Sequence, residues 1–372
     1  MPSTGAATAS TYGGGAAFDH LWHVREADKE PAVRVSDRLD HFQRRRRWAA
    51  LPIAVVYKYV DDQGSYLAAL IAYYGLISLF PLLLLLSSLL GFALQGDPRL
   101  QEYILTSTLS QFPVIGDQLR STGLRGSGMA LIVGVLGSLY GALGVAQAVQ
   151  NLMNVAWAVP RNRRPNPLMV RVRSLLLLAT AGAAVIATTV LSALGTTADS
   201  FGATSLGLGL RALLILVSVS VNAGVFLLAF RIATARDVSW RHLAPGALSA
   251  AVAWQFLQVF GALLVGNVLK NATAINGVFG LVLGLLAWLY ATAVTIALSA
   301  ELNVVLAKRL WPRALLTPFT DDVNLTHGDR RSYTDAAKAQ RAKGFETVDV
   351  TFDNQGQNAT HDGAPTKDAS AS

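Results

Sequence analysis

Six stretches of the chain contain no Lys, Arg, Asp, Glu or His: Gln63–Gly96, Gly126–Pro160, Ser174–Ala198, Ala212–Phe230, Leu243–Leu269 and Asn271–Ala300. A helix needs about 20 apolar residues to cross a hydrocarbon core roughly 30 Å thick. Each stretch supplies that length or nearly so, and the pattern predicts an all-α polytopic membrane protein. The six spans fall near Tyr66–Leu94, Met129–Ala148, Ser174–Leu194, Leu208–Phe230, Ala244–Val268 and Val278–Ala307. With 52% hydrophobic and 15% charged residues, the chain has too little ionic surface for a soluble fold of its size.

An even number of spans puts both termini on one side. Lys and Arg number 26 in the segments of that side and 5 in the remaining loops, so the positive-inside bias predicts cytoplasmic termini. The loops carrying Arg161, Arg163 and Arg164, and Arg231, Arg236 and Arg241, lie on the same side in this reading. No short apolar segment with a cleavage site occurs in the first 60 residues, so no removable signal peptide is expected.

Residues 1–40 and 311–372 are polar, with little clustered hydrophobicity to offset the entropy of ordering, and are expected to be disordered cytoplasmic tails. The membrane domain is expected over 41–310. Ahead of span one, Trp48, Leu51, Val55 and Tyr59 recur at helical spacing behind Arg44, Arg45, Arg46 and Arg47. That pattern predicts a helix lying in the membrane interface, with Pro52 in its first turn and the arginines facing anionic headgroups. The same arginines would also serve as a plain topology anchor. Leu100, Tyr103 and Ile104 in the loop from Gln95 to Arg125 suggest a short helix on the outer side.

Glu301 is the acidic residue that lies within a span, and an ionisable group at such depth is costly enough to stand as a functional candidate by default. It is seven residues from Lys308, about 10 Å along the helix axis, which places it in the cytoplasmic third of span six. Arg231 and Arg173, at cytoplasmic span ends, are its candidate partners; the plainer reading is a structural ion pair between helices. Asn303 lies on the same turn. Gln147, Gln150, Asn151 and Asn154 recur three and four residues apart on span two, Gln255 and Gln258 do so on span five, and Asn222 lies in span four. Neutral amides in hydrocarbon need partners, found either on other helices or in a polar cavity that binds substrate or protons. Pro81, mid-span, removes a helical hydrogen bond and is a hinge candidate, although such kinks also occur without a ligand. Gly137 and Gly141, like Gly280 and Gly284, form small-residue faces that let helices approach closely.

Several segments carry a resemblance to a known family. Span one reads Ala72-Tyr73-Tyr74-Gly75-Leu76-Ile77-Ser78-Leu79-Phe80-Pro81, and span five opens at Pro245-Gly246-Ala247 with Trp254 further along. Span six reads Asn276-Gly277-Val278-Phe279-Gly280, then Trp288-Leu289-Tyr290, and closes on Ala300-Glu301-Leu302-Asn303. Over roughly Arg44 to Arg309 the chain resembles the YihY/BrkB-like family of bacterial inner-membrane proteins. The resemblance implies six helices in the inner membrane and a transporter or envelope-related role, in a family once labelled ribonuclease BN. The sequence departs from the family pattern at Ser299, where Gly usually precedes the Ala-Glu pair; Ser is small enough for the same packing.

Three function classes follow. A transporter or lipid-handling protein would use a polar cavity near Glu301 to take a lipid-like or small-molecule substrate. A non-transporting scaffold would act through its tails, near Arg330-Arg331 and Lys338–Lys343, on acidic partners or membrane lipids. A phosphodiester hydrolase needs clustered carboxylates for metal ions or a His pair for acid–base work. Here His20, His23, His41, His242, His327 and His361 fall in tails or at a loop edge without carboxylates at motif spacing. With no cysteine, no nucleotide-binding loop and no nucleophile elbow, neither an enzyme, a metal site, a cofactor nor a nucleic-acid partner is expected.

Overall fold

A computed structural model describes residues 43, 46–93, 128–200, 207–270, 274–317 and 323–352. The described residues form eight α-helices and no strand: α1 Arg47–Asp61, α2 Gly64–Ala93, α3 Gly128–Ala156, α4 Pro167–Ser200, α5 Gly207–Ala233, α6 Trp240–Lys270, α7 Ala274–Lys308 and α8 His327–Ala339. Helices α2 to α7 are the six long enough and apolar enough to cross a membrane. The short outer-side helix expected in the Gln95–Arg125 loop, Arg44 and Arg45 lie outside the described residues, as do residues 1–40.

The bundle is turned inside out relative to a soluble protein. Ile186, Phe256 and Phe279 are 67%, 73% and 70% exposed, while the core is built largely from alanine. Such a surface is stable only against acyl chains, where large side chains lose nothing by facing outward and small ones let helices touch. One core cluster joins Ala68, Ile71, Ala148, Leu152, Ala293 and Ala297 of α2, α3 and α7. A larger one lies at the end of the bundle where α1 packs, and includes Ala54, Met153, Trp157, Phe230, Leu243, Ala300 and Val304.

Each spanning helix packs on the next, and α7 packs back on α2, so the six close into a ring, with α3 also touching α5 and α7. The α2–α3 seam rests on a glycine stripe. A Cβ on Gly134 would come within 2.8 Å of the Leu85 backbone, one on Gly141 within 2.7 Å of Ser78 Cα, and one on Gly137 within 2.7 Å of the Pro81 ring. Pro81 therefore stands inside an unbroken α2, its ring seated on Gly137, which gives the proline a packing partner. The α6–α7 seam is drawn together by Gly246, where an added Cβ would lie 2.1 Å from the Ser299 carbonyl oxygen. Ser299 also fills the role expected of a small residue, its hydroxyl 3.1 Å from that of Ser249.

Two expectations for the flanking segments change. Pro52 is the sixth residue of α1 rather than a first-turn residue. Helix α1 exposes Trp48, Val56 and Val60 on one side and buries Ala50, Ala54 and Lys58 on the other against α7. The expectation of disorder from residue 311 onward fails for 323–352, because polar contacts do there what apolar burial could not. Helix α8 opens with a capping box between Thr326 and Asp329, and Asp329 is fully buried against Arg313. Asn162 N–H donates to the Arg341 carbonyl at 3.1 Å, tying the segment after α8 to the α3–α4 loop.

Candidate functional site

A network of buried charge lies where α1, α7 and α8 meet. Lys58 projects from the buried side of α1 and pairs with Asp62 one turn on. Its Nζ also stands 3.8 Å from Glu301 Oε2, and the Lys58 and Glu301 side chains are 3% and 0% exposed. Among the described residues neither Glu301 oxygen meets a hydrogen-bond partner. Lys58 thus faces two buried carboxyl groups, Asp62 and Glu301, and the cluster holds one more acid than base. Burial pushes the Asp62 carboxyl above its ordinary range, against the opposing pull of Lys58. The paired acids hold the Lys58 ammonium above its usual value although burial acts the other way. Next on α1, burial and the Tyr290 hydroxyl push Tyr59 up to about 12.

Asn303 is fully buried one half-turn past Glu301. Its Oδ1 accepts the Gly246 N–H at 2.6 Å, beside Pro245, while Nδ2 finds no acceptor among the described residues. A second buried cluster follows. Arg313 donates through Nε to Asp329 at 2.5 Å and through Nη2 to Asp61 at 2.8 Å, and lies over the Tyr57 and Tyr333 rings. Asp329 further accepts from Ala314 N–H at 3.0 Å and from the Thr326 hydroxyl at 2.7 Å. Asp61 and Asp62, neighbours in sequence, thus hold the two clusters together.

The partners expected for Glu301 are not the ones it has. Arg173 donates to the Thr234 carbonyl, and Arg231 pairs with Asp237 and lies over Trp240. Both cations sit at loop edges where local acceptors compete for them, and Lys58 fills the place instead. Of the amides, Gln150 donates to Ser174 at 2.9 Å, Asn154 accepts from Ala235 N–H at 2.9 Å, Asn151 accepts from Arg164 at 3.3 Å and Gln255 donates to Ser218 at 2.9 Å. These bonds join α3 to α4 and to the α5 end, and α6 to α5. Gln147 and Gln258 are exposed and Asn222 is buried on α5. The amide rows are therefore dispersed among helix contacts rather than gathered around Glu301. Arg46 is exposed. Lys58, Asp62, Arg313 and Asp329 were not picked out from sequence, yet Lys58 and Asp62 form an (i, i+4) pair and Thr326-x-x-Asp329 is a capping signature. Among the described residues no group of three or more His, Asp or Glu is placed to hold a metal ion.

The profile of a family described as Virulence factor BrkB matches residues 55–318, well over half of the chain. The chain belongs to this family. Its BrkB region begins inside α1 and ends beyond Arg313, so it takes in Lys58, Asp62, Glu301 and Asn303 but not Asp329. The chain is also similar to the ribonuclease-like protein YfkH of Bacillus subtilis (strain 168), 28% identical over 262 residues, which cover 68% of this chain and 93% of that protein. No solved structure matches. In this BrkB-family chain the sequence outside the matched region contributes α8, whose Asp329 completes the Arg313 cluster.

Proposed function

We propose that this BrkB-family protein is a transporter of the bacterial inner membrane, with both termini cytoplasmic, that moves a lipid-like or envelope component. The Lys58–Asp62–Glu301 cluster is its proton-handling centre. The observation that carries the reading is Glu301: fully buried, without a hydrogen-bond donor among the described residues, beside one cation that also serves Asp62. A purely structural ion pair would be satisfied by one acid and one base; a second acid leaves a proton to gain or lose. Alternating access would then have a charge change to couple to. A lipid-like substrate suits a bundle whose lipid-facing sides are long and apolar. No enzymatic step is assigned.

The test is to purify the wild type and Glu301→Gln from native membrane in mild detergent and identify the retained molecules by mass spectrometry. A specific lipid or metabolite held by the wild type and lost by the variant is the expected result. Bulk membrane lipid in bulk proportions on both would overturn the substrate assignment and favour a scaffold acting through its cytoplasmic segments.

A further inference from the structure

Outside the buried cluster, the same end of the bundle holds a cavity of about 950 Å³. Its walls come from the α3–α4 loop, the α5–α6 loop, the end of α7 and one side of α8. Arg163, Arg236, Lys308, Arg309, Arg331 and Lys338 line it, with Asp335 as the one acid among the lining residues. Four separate segments thus deliver cations to one concavity, which a topology signal spread along loops does not require.

Only part of this charge is internally answered. Lys308 pairs with Asp335 at 2.8 Å and donates to the Trp157 carbonyl at 3.2 Å, and Arg331 donates to the Lys308 carbonyl at 2.9 Å. Arg163, Arg236, Arg309 and Lys338 are exposed and make no side-chain hydrogen bond or ion pair among the described residues. The backbone is also held in place around them. Ala158 and Arg309 both line the cavity with φ of 50° and 54°, a left-handed conformation that non-glycine residues rarely adopt. Each closes its helix through a bond from the following residue, Val159 to Asn154 and Leu310 to Val305.

We infer that this cavity is a binding site for a phosphate-bearing ligand, the phosphate group being either that of a lipid headgroup or that of a free soluble molecule. Guanidinium forks match phosphate oxygens in pairs, and several converging cations favour a group with more than one negative charge. The volume falls within the range of small-molecule sites and far exceeds a single inorganic ion. The site shares no lining residue with the Lys58–Asp62–Glu301 cluster, so it stands or falls apart from the transport reading.

The full-length protein is assayed by titration calorimetry with inorganic pyrophosphate in neutral detergent. In parallel, native mass spectrometry follows its retention of phosphatidylglycerol against phosphatidylcholine in mixed nanodiscs. The variants are Arg163→Gln/Arg236→Gln/Arg309→Gly and, as a charge-matched control on exposed residues that do not line the cavity, Arg171→Gln/Arg241→Gln/Lys343→Gln. Arg309→Gly also relieves the left-handed strain, so loss of binding by that variant is not loss of fold. At least a tenfold drop for the cavity variant, with the control within twofold of wild type, is expected in one arm. A drop with pyrophosphate identifies a soluble ligand, and a drop confined to phosphatidylglycerol identifies a headgroup. Equal losses in both variants, or no binding in either arm, would overturn the proposal.

Discussion

Lys58 Nζ stands 3.8 Å from Glu301 Oε2, joining the helix that precedes the bundle to the last helix within it. Because Lys58 also holds Asp62, the cap of its own helix, this one ammonium fastens the end of α1 to the end of α7. Removing a member of such a group leaves unbalanced charge in a buried place.

Lys58→Met is accordingly expected to destabilise the protein by about 3–5 kcal/mol, the usual result of stranding a buried charge. Adding Glu301→Gln should recover a large part of that loss. Thermal and chemical unfolding in detergent measure both. A loss below about 1 kcal/mol, typical of a surface pair, would mean that water reaches the cluster.

Acidity should act through Asp62. Its folded-state carboxyl titrates above the ordinary range, so between about pH 4 and that raised value the folded protein holds a proton that the unfolded chain has released. Stability contributed by this group is therefore full at low pH and falls as pH rises through the window. The difference in melting temperature between wild type and Asp62→Asn, followed from pH 4 to 8, should grow in favour of the variant; a flat difference would refute the shift.

The α6–α7 seam gives a steric prediction with an internal control. Gly246→Ala places a methyl 2.1 Å from the Ser299 carbonyl and against the Asn303 amide, and should cost roughly 1–3 kcal/mol as an overpacked contact. Gly182→Ala on α4 meets nothing within 4 Å and should be neutral or stabilising by up to about 1 kcal/mol. Comparable melting temperatures for the two would show that the seam is looser than the structure has it.

Helix α8 makes truncation site-dependent. A chain ending at residue 352 keeps every contact of the Arg313 cluster, whereas one ending at 320 removes Asp329 and leaves the fully buried Arg313 with Asp61 alone. The first should melt like wild type. The second should lose about 3–5 kcal/mol, and Asp329→Ala should follow it. A tail deletion beginning at 315 therefore tests folding as well as any scaffold role.

Much was legible in the six uncharged stretches. Their length and polarity required six helices, because hydrocarbon tolerates no unpaired backbone, and the helices start and end within a few residues of the expected spans, apart from longer ends at Ala156, Pro167 and Ser200. Gly137 and Gly141 announced a close seam because only small residues permit one. Glu301 stood out because charge in a span is rare. What stayed hidden were its neighbours, since Lys58 and Asp62 sit in a segment whose composition is ordinary for a membrane-surface helix.

The polar residues after 311 misled for a related reason. Sparse apolar content argues against a core, but α8 is held by Asp329 accepting from Arg313, Ala314 and Thr326, a one-site arrangement invisible to composition.

The sequence by itself determined that the chain spans a membrane six times and that one acid lies inside, because hydrophobic length and burial of charge are properties of local segments. Only the tertiary structure decided that α7 closes the ring on α2, that Lys58 rather than Arg173 or Arg231 meets Glu301, and that four basic segments enclose one cavity. Those facts depend on which helices touch, and between spans of nearly uniform apolar surface that choice rests on shape, a glycine here and a serine there, which pairs residues far apart in the chain.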